Sequence, residues 1–115
     1  MRLFILEKMA EGVMILDLRG HLTLGEETEA LRDKVKQLIQ AGFSRMVLNL
    51  EDVSYIDSVG LSTLVATYTS TRQQGGDLKL LNLTKRVRDL LQITRLSTVF
   101  ETYDSLEEAL KSFRR

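Results

Sequence analysis

The sequence contains no cysteine, which excludes disulfides and thiolate metal sites. It has a single histidine, His21. A histidine metal cluster or a catalytic triad is hard to build from one imidazole. Proline is also absent, which suits uninterrupted helices and strands. Neither sign of charge is in excess, since 16 basic and 16 acidic residues cancel. Nucleic acid is therefore a poor main ligand, because phosphate neutralisation needs a basic surplus. No apolar run approaches the ~18 residues of a membrane span. The opening MRLFILEKMAEG starts apolar, but Glu7 and Lys8 end the run and no cleavage-site pattern follows. It does not read as a signal peptide. A cytoplasmic protein with neither membrane nor nucleic acid among its partners is expected.

What is present is a regular alternation of strand and helix patterns. The 115 residues suit one domain, 1–115, able to bury roughly two thirds of its unfolded surface. Residues 2–9 and 13–19 read as strands joined by a turn at Ala10-Glu11-Gly12, a hairpin that Gly20 closes. His21 to Gly25 then lead into a helix, with Thr23 and Glu26 at capping-box spacing. Leu31, Val35, Leu38 and Ile39 form its buried stripe, and Gly42 stops it. Arg45 to Leu50 is a nearly continuous apolar run, as in a strand covered on both faces. A second helix runs from Ser58 to Gly75-Gly76, and Asp77 to Asn82 is a fourth strand. Leu83-Thr84 opens a third helix, with Val87, Leu90, Leu91 and Ile93 inward. Its early Lys85, Arg86 and Arg88 are poorly placed for the helix dipole; they form a solvated face or meet an acidic partner. Val99 to Tyr103 is a fifth strand. Asp104 or Ser105 caps a last helix that buries Leu106, Ala109, Leu110 and Phe113. The order ββαβαβαβα implies an α/β fold with right-handed crossovers and a mixed, mostly parallel sheet.

One stretch stands apart. From Ser58 to Thr71 there is no charged residue, in a chain that is 28% charged. Leu61, Leu64, Val65 and Tyr68 fall on one helical face and are expected to be buried. Ser62, Thr63, Ala66, Thr67, Thr69, Ser70 and Thr71 are then a small, neutral outer face, of the kind a partner protein lies against. Asp57 is a good N-cap, which puts Ser58 at the first helical position. Gly60 leaves the backbone open to close approach. A phosphate on Ser58 sits acceptably at the positive end of the dipole. It would also place ~1.5–2 negative charges beside Asp57 on an uncharged face. Read more plainly, Asp57-Ser58 is only a helix cap.

Asp57-Ser58-Val59-Gly60-Leu61, preceded by Val47-Leu48-Asn49-Leu50, resembles the signature of the STAS domain. More narrowly, it is similar to that of the bacterial anti-sigma factor antagonists. The runs Val87 to Leu96 and Val99 to Leu110 resemble the family's third-helix segment and its C-terminal strand and helix. The resemblance covers nearly the whole chain. It implies a regulatory module, not an enzyme, with no cofactor. The unphosphorylated form would bind an anti-sigma factor that is also an ATP-dependent serine kinase, and so free the sigma factor. Phosphorylation of Ser58 would end the complex, and a metal-dependent serine phosphatase would reverse it. Partner contacts are then expected from Thr23, Asp57, Ser58, Val59, Gly60, Ser62, Thr63, Ala66 and Thr67. Two departures bear on the partner. Thr23 stands where many relatives have a carboxylate, and Ser62 where close relatives often have glycine.

Other readings are open to the same residues. A STAS domain can serve as a docking subunit of a lipid-transport ATPase or a stress-signalling assembly, with no phospho-cycle. An enzyme using Ser58 as nucleophile and His21, in the loop after the second strand, as base lacks a G-x-S-x-G elbow. Nucleotide binding finds no P-loop and no G-x-G-x-x-G.

Overall fold

A computed structural model describes residues 3–114. Five strands form one sheet in the order β1-β2-β3-β4-β5. They are β1 (Leu3–Ala10), β2 (Val13–Leu22), β3 (Arg45–Ile56), β4 (Asp77–Leu81) and β5 (Thr102–Tyr103). The helices are α1 (Glu26–Gln40), α2 (Ser58–Gln73), α3 (Lys85–Ile93) and α4 (Leu106–Ser112). The expected element order is the observed one. β1 and β2 are antiparallel, joined at Glu11 and Gly12, both with positive φ. That is the backbone a tight hairpin turn needs. Every other pairing is parallel.

The sheet divides two apolar clusters, because successive strand residues point to opposite faces. Met14, Leu16 and Leu18 of β2 join Leu31 and Val35 of α1, Leu61 and Leu64 of α2, and Val87 and Leu91 of α3. Val13 and Ile15 join Ala109 and Leu110 of α4 on the other side. Three crossover helices thus cover one face and α4 part of the other. Lys79 lies under α4 and is only 3% exposed. Its ammonium donates to Ser112 Oγ at 2.7 Å and lies 4.4 Å from the Phe113 ring centroid.

Several boundaries differ from the sequence reading, each for a local reason. Gly20 does not close the second strand; β2 continues to Leu22. Gly20 takes φ 117°, next to a shift in register with β3. Between the pairs Asp17↔Asn49 and Arg19↔Asp52, β3 carries an extra residue, and another separates Val53 from Tyr55. These bulges let β3 run on to Ile56 rather than stop at Leu50. His21 therefore belongs to a strand, not a loop. The capping box at Thr23 and Glu26 does not form. Gly25 is the N-cap of α1, and the Thr23 hydroxyl donates to Glu27 Oε1 at 3.4 Å. Ile93 is 79% exposed rather than inward, at the last turn of α3. β5 spans only Thr102 and Tyr103, although Phe100 before it is buried in the core.

Candidate functional site

The parallel strands end along one edge of the sheet, and β3 passes into α2 there. Asp57 has extended backbone and caps α2, with its Oδ1 accepting from the Gly60 N–H at 2.8 Å. Its other oxygen, Oδ2, accepts from the Leu24 N–H at 2.9 Å. The Asp57 N–H donates to the Leu22 carbonyl at 3.3 Å. One side chain thus ties the β2–α1 loop to the first turn of α2. Burial pushes the Asp57 carboxyl up, but the N–H groups of Leu24, Gly60 and Val59 outweigh that and hold it below its ordinary value.

The depressed value has a consequence for stability. A carboxyl with a lower folded than unfolded pKa stabilises the fold fully above its ordinary value of about 4. The contribution is lost as pH falls through the folded value. Asp57→Ala is expected to cost about 1–2 kcal/mol near neutral pH, the range of a lost N-cap. The deficit relative to wild type should shrink in acid. Urea unfolding of both proteins at neutral and acid pH checks this, and a pH-independent deficit would contradict it.

Ser58 is exposed at the first position of α2. Among the described residues, no hydrogen bond engages its hydroxyl. Its carbonyl accepts from the Ser62 hydroxyl at 3.0 Å, one turn on. Ser58, Ser62 and Thr69 are exposed, and Val59, Val65 and Ala66 are half-buried. The outward face of α2 is therefore neutral down to Arg72, as expected. Its membership differs.

Three residues assigned to partner contact from sequence are enclosed. Thr63 is 0% and Thr67 2% exposed. Their hydroxyls donate to the Val59 carbonyl at 2.8 Å and the Leu64 carbonyl at 2.9 Å. Thr71 is buried likewise, its hydroxyl on Thr67 O at 2.8 Å. Threonine can be buried this way because its own helix satisfies the hydroxyl. Gly60 is the third. A Cβ built on it would overlap the Leu22 carbonyl oxygen and lie 2.9 Å from Ile56 Cγ1. The missing side chain makes room for β2, not for a partner or a phosphate.

Other side chains on this edge were not singled out by the sequence. Leu24 is 71% exposed, although its N–H is bound to Asp57. Tyr55 is 45% exposed, with the His21 ring edge-on at 6.0 Å and the Arg86 guanidinium 5.3 Å from its ring centroid. Glu27 supplies a half-buried carboxylate beside Thr23. The one available signal was Leu24 itself, an apolar residue in a turn with no periodic partner. Among the described residues, no hydrogen bond joins His21 to Ser58 and no group of three metal-ligating side chains occurs. Nor is any helix there long and apolar enough to cross a membrane.

An exposed serine thus stands beside a rigid cap, at the start of a helix whose outward face is neutral, where the parallel strands end. The STAS domain family model matches residues 7–109. Over 71 residues the chain is 41% identical to the anti-sigma-B factor antagonist of Bacillus subtilis, covering 62% of this chain and 64% of that one. It is 30% identical over 104 residues to a Thermotoga neapolitana protein put forward as an anti-sigma factor antagonist, covering 90% of this chain and 92% of that one. The crystal structure of a Thermotoga maritima protein put forward as the same superposes with a TM-score of 0.86 at 27% identity, over 96% and 95% of the two chains. The chain belongs to the STAS domain family, among its anti-sigma factor antagonists.

Proposed function

We propose that this chain is a cytoplasmic anti-sigma factor antagonist, switched by phosphorylation of Ser58. The unphosphorylated form binds an anti-sigma factor with ATP-dependent serine kinase activity, and the sigma factor is released. Phosphorylation of Ser58 by that kinase ends the complex, and a metal-dependent serine phosphatase resets it. The protein itself is not an enzyme in this reading and needs no cofactor.

The observation that carries the reading is the setting of the Ser58 hydroxyl. It is exposed, at the first residue of α2, beside a carboxylate fixed by two backbone N–H groups. A kinase can reach it without unfolding the domain. The helix N-terminus tolerates the phosphate internally, while the neutral face around it would meet a partner with ~1.5–2 new charges. Partner contact is assigned to Thr23, Asp57, Ser58, Val59, Ser62 and Ala66, extended to Leu24, Val65 and Thr69. Gly60, Thr63 and Thr67 support that surface from within.

The test is chemical. After incubation with the cognate anti-sigma factor and ATP, mass spectrometry should find one phosphate, on Ser58, and none on Ser58→Ala. An unmodified Ser58, with the complex intact, would leave a docking module without a phospho-cycle.

A further inference from the structure

Away from Ser58, α1 and α2 lie side by side and leave a groove of about 470 Å³ between them. The half-buried Ile39 and Ala66 give it an apolar floor, over the buried Val35 and Thr67. Arg32 and Lys36 stand on the α1 rim, with Ser70, Gln73 and Gln74 on the α2 rim. No acidic residue is among the lining residues. Neither Arg32 nor Lys36 belongs to an ion pair among the described residues, although most other cations do. Arg32 and Lys36 are also one turn apart on α1, so both can reach one anion. At the far end, Ile39 and Gln74 also line a second space of about 130 Å³, which reaches Phe43.

We propose that this groove binds a free medium-chain acyl carboxylate. Its carboxylate lies between Arg32 and Lys36, and its chain runs along Ile39 and Ala66 toward Phe43. Two features select this chemistry. The volume is that of a small-molecule site, with two cations on one rim and Ile39 and Ala66 along its length; a partner helix would need more exposed apolar anchors than Ala66 and the edge of Ile39. The groove also runs ~12 Å, the rise of eight residues, toward the C-terminal ends of both helices, Gln40 and Gln73. Those ends carry the negative pole of the dipole. An anion is disfavoured there and an uncharged tail is not, which orients the ligand with its head at Arg32 and Lys36. The proposal does not depend on the role of Ser58.

The test is an NMR titration of the full chain with decanoate, below its micelle-forming concentration. Shift changes are expected to centre on residues 32–40 and 66–74. Decyltrimethylammonium, with the same tail and the opposite charge, should bind at least about tenfold more weakly. Arg32→Ser combined with Lys36→Ser should weaken decanoate binding about tenfold, equivalent to ~1.4 kcal/mol. Ala66→Phe should abolish it by filling the groove. Should Ala66→Phe fail to fold, the exposed double variant decides alone. Equal affinity for the two amphiphiles, unchanged affinity in the double variant, or shifts centred elsewhere would overturn the proposal. So would silence toward decanoate combined with binding of an acidic amphipathic peptide or an anionic vesicle at the same residues.

Discussion

Ser58→Asp is expected to weaken the complex with the cognate anti-sigma factor about ten- to hundredfold, while Ser58→Ala binds like wild type. The Asp57 carboxylate is already charged and cannot turn away, because backbone N–H groups hold both its oxygens. A second negative group ~5 Å away repels it by a few kcal/mol at an effective dielectric near 20. Solvent exposure of Ser58 reduces this to roughly 1–3 kcal/mol, and each ~1.4 kcal/mol is tenfold in affinity. Some repulsion acts within the free protein too, where the helix dipole offsets it. In the complex, water is displaced from the neutral face and that offset no longer suffices. A true phosphate should act more strongly than aspartate, since it carries ~1.5–2 charges. The neutral isostere Ser58→Asn separates charge from size. Calorimetric titration checks all of these. Raising the salt from ~0.15 M to ~1 M, where the Debye length falls from ~8 to ~3 Å, should narrow the gap between Asp and Asn. Equal affinities for Ala, Asn and Asp would remove the electrostatic switch.

Gly60→Ala should be the most damaging single-methyl substitution near the site. The added carbon would collide with the Leu22 backbone oxygen. A flexible side chain could move aside; a strand carbonyl paired in the sheet cannot without displacing α2. Overpacking of this kind costs about 1–3 kcal/mol and sometimes more. Better helix propensity returns at most ~1 kcal/mol. At the upper end of that range the net loss is about 2 kcal/mol, a large share of the 5–15 kcal/mol that holds a typical domain. With a urea slope of ~1–3 kcal/mol/M, the midpoint should fall by about 1–2 M. Gly75→Ala is the control. It has φ 84° but nothing within 4 Å of the added carbon, so it reports backbone strain alone. Similar losses for both would mean that the seat of α2 on Leu22 contributes little. Should Gly60→Ala still fold, the tilt it forces on α2 would also weaken partner binding.

Much of the architecture was legible because it rests on local rules. Apolar runs of strand length alternate with helical stripes, and turn residues separate them. The cap at Asp57 followed from its type and position, and the structure gives it the expected bond to Gly60. The third strand was read too short because Glu51, Asp52 and Ser54 interrupt its apolar run. Bulges against β2 keep Val53 and Ile56 buried through that interruption, and no single-strand pattern encodes a bulge in a pair. Ile93 was read as inward because it is apolar, but as the last residue of α3 it falls off the face that buries Val87 and Leu91.

The candidate site divides in the same way. Composition and order along the chain determined a neutral helix that begins with a capped serine, since capping and charge are properties of neighbouring residues. Which side of that helix meets solvent was decided only by the tertiary structure. α2 packs against α1 as well as the sheet, so its buried arc widens to take in Thr63, Thr67 and Thr71. Their hydroxyls close on their own helix, and polarity then no longer reports exposure. The task of Gly60 and the second bond of Asp57 were likewise set by Leu22 and Leu24, more than thirty residues earlier in the chain. Contacts across such distances depend on how strands register, and a linear pattern of residue types does not contain that register.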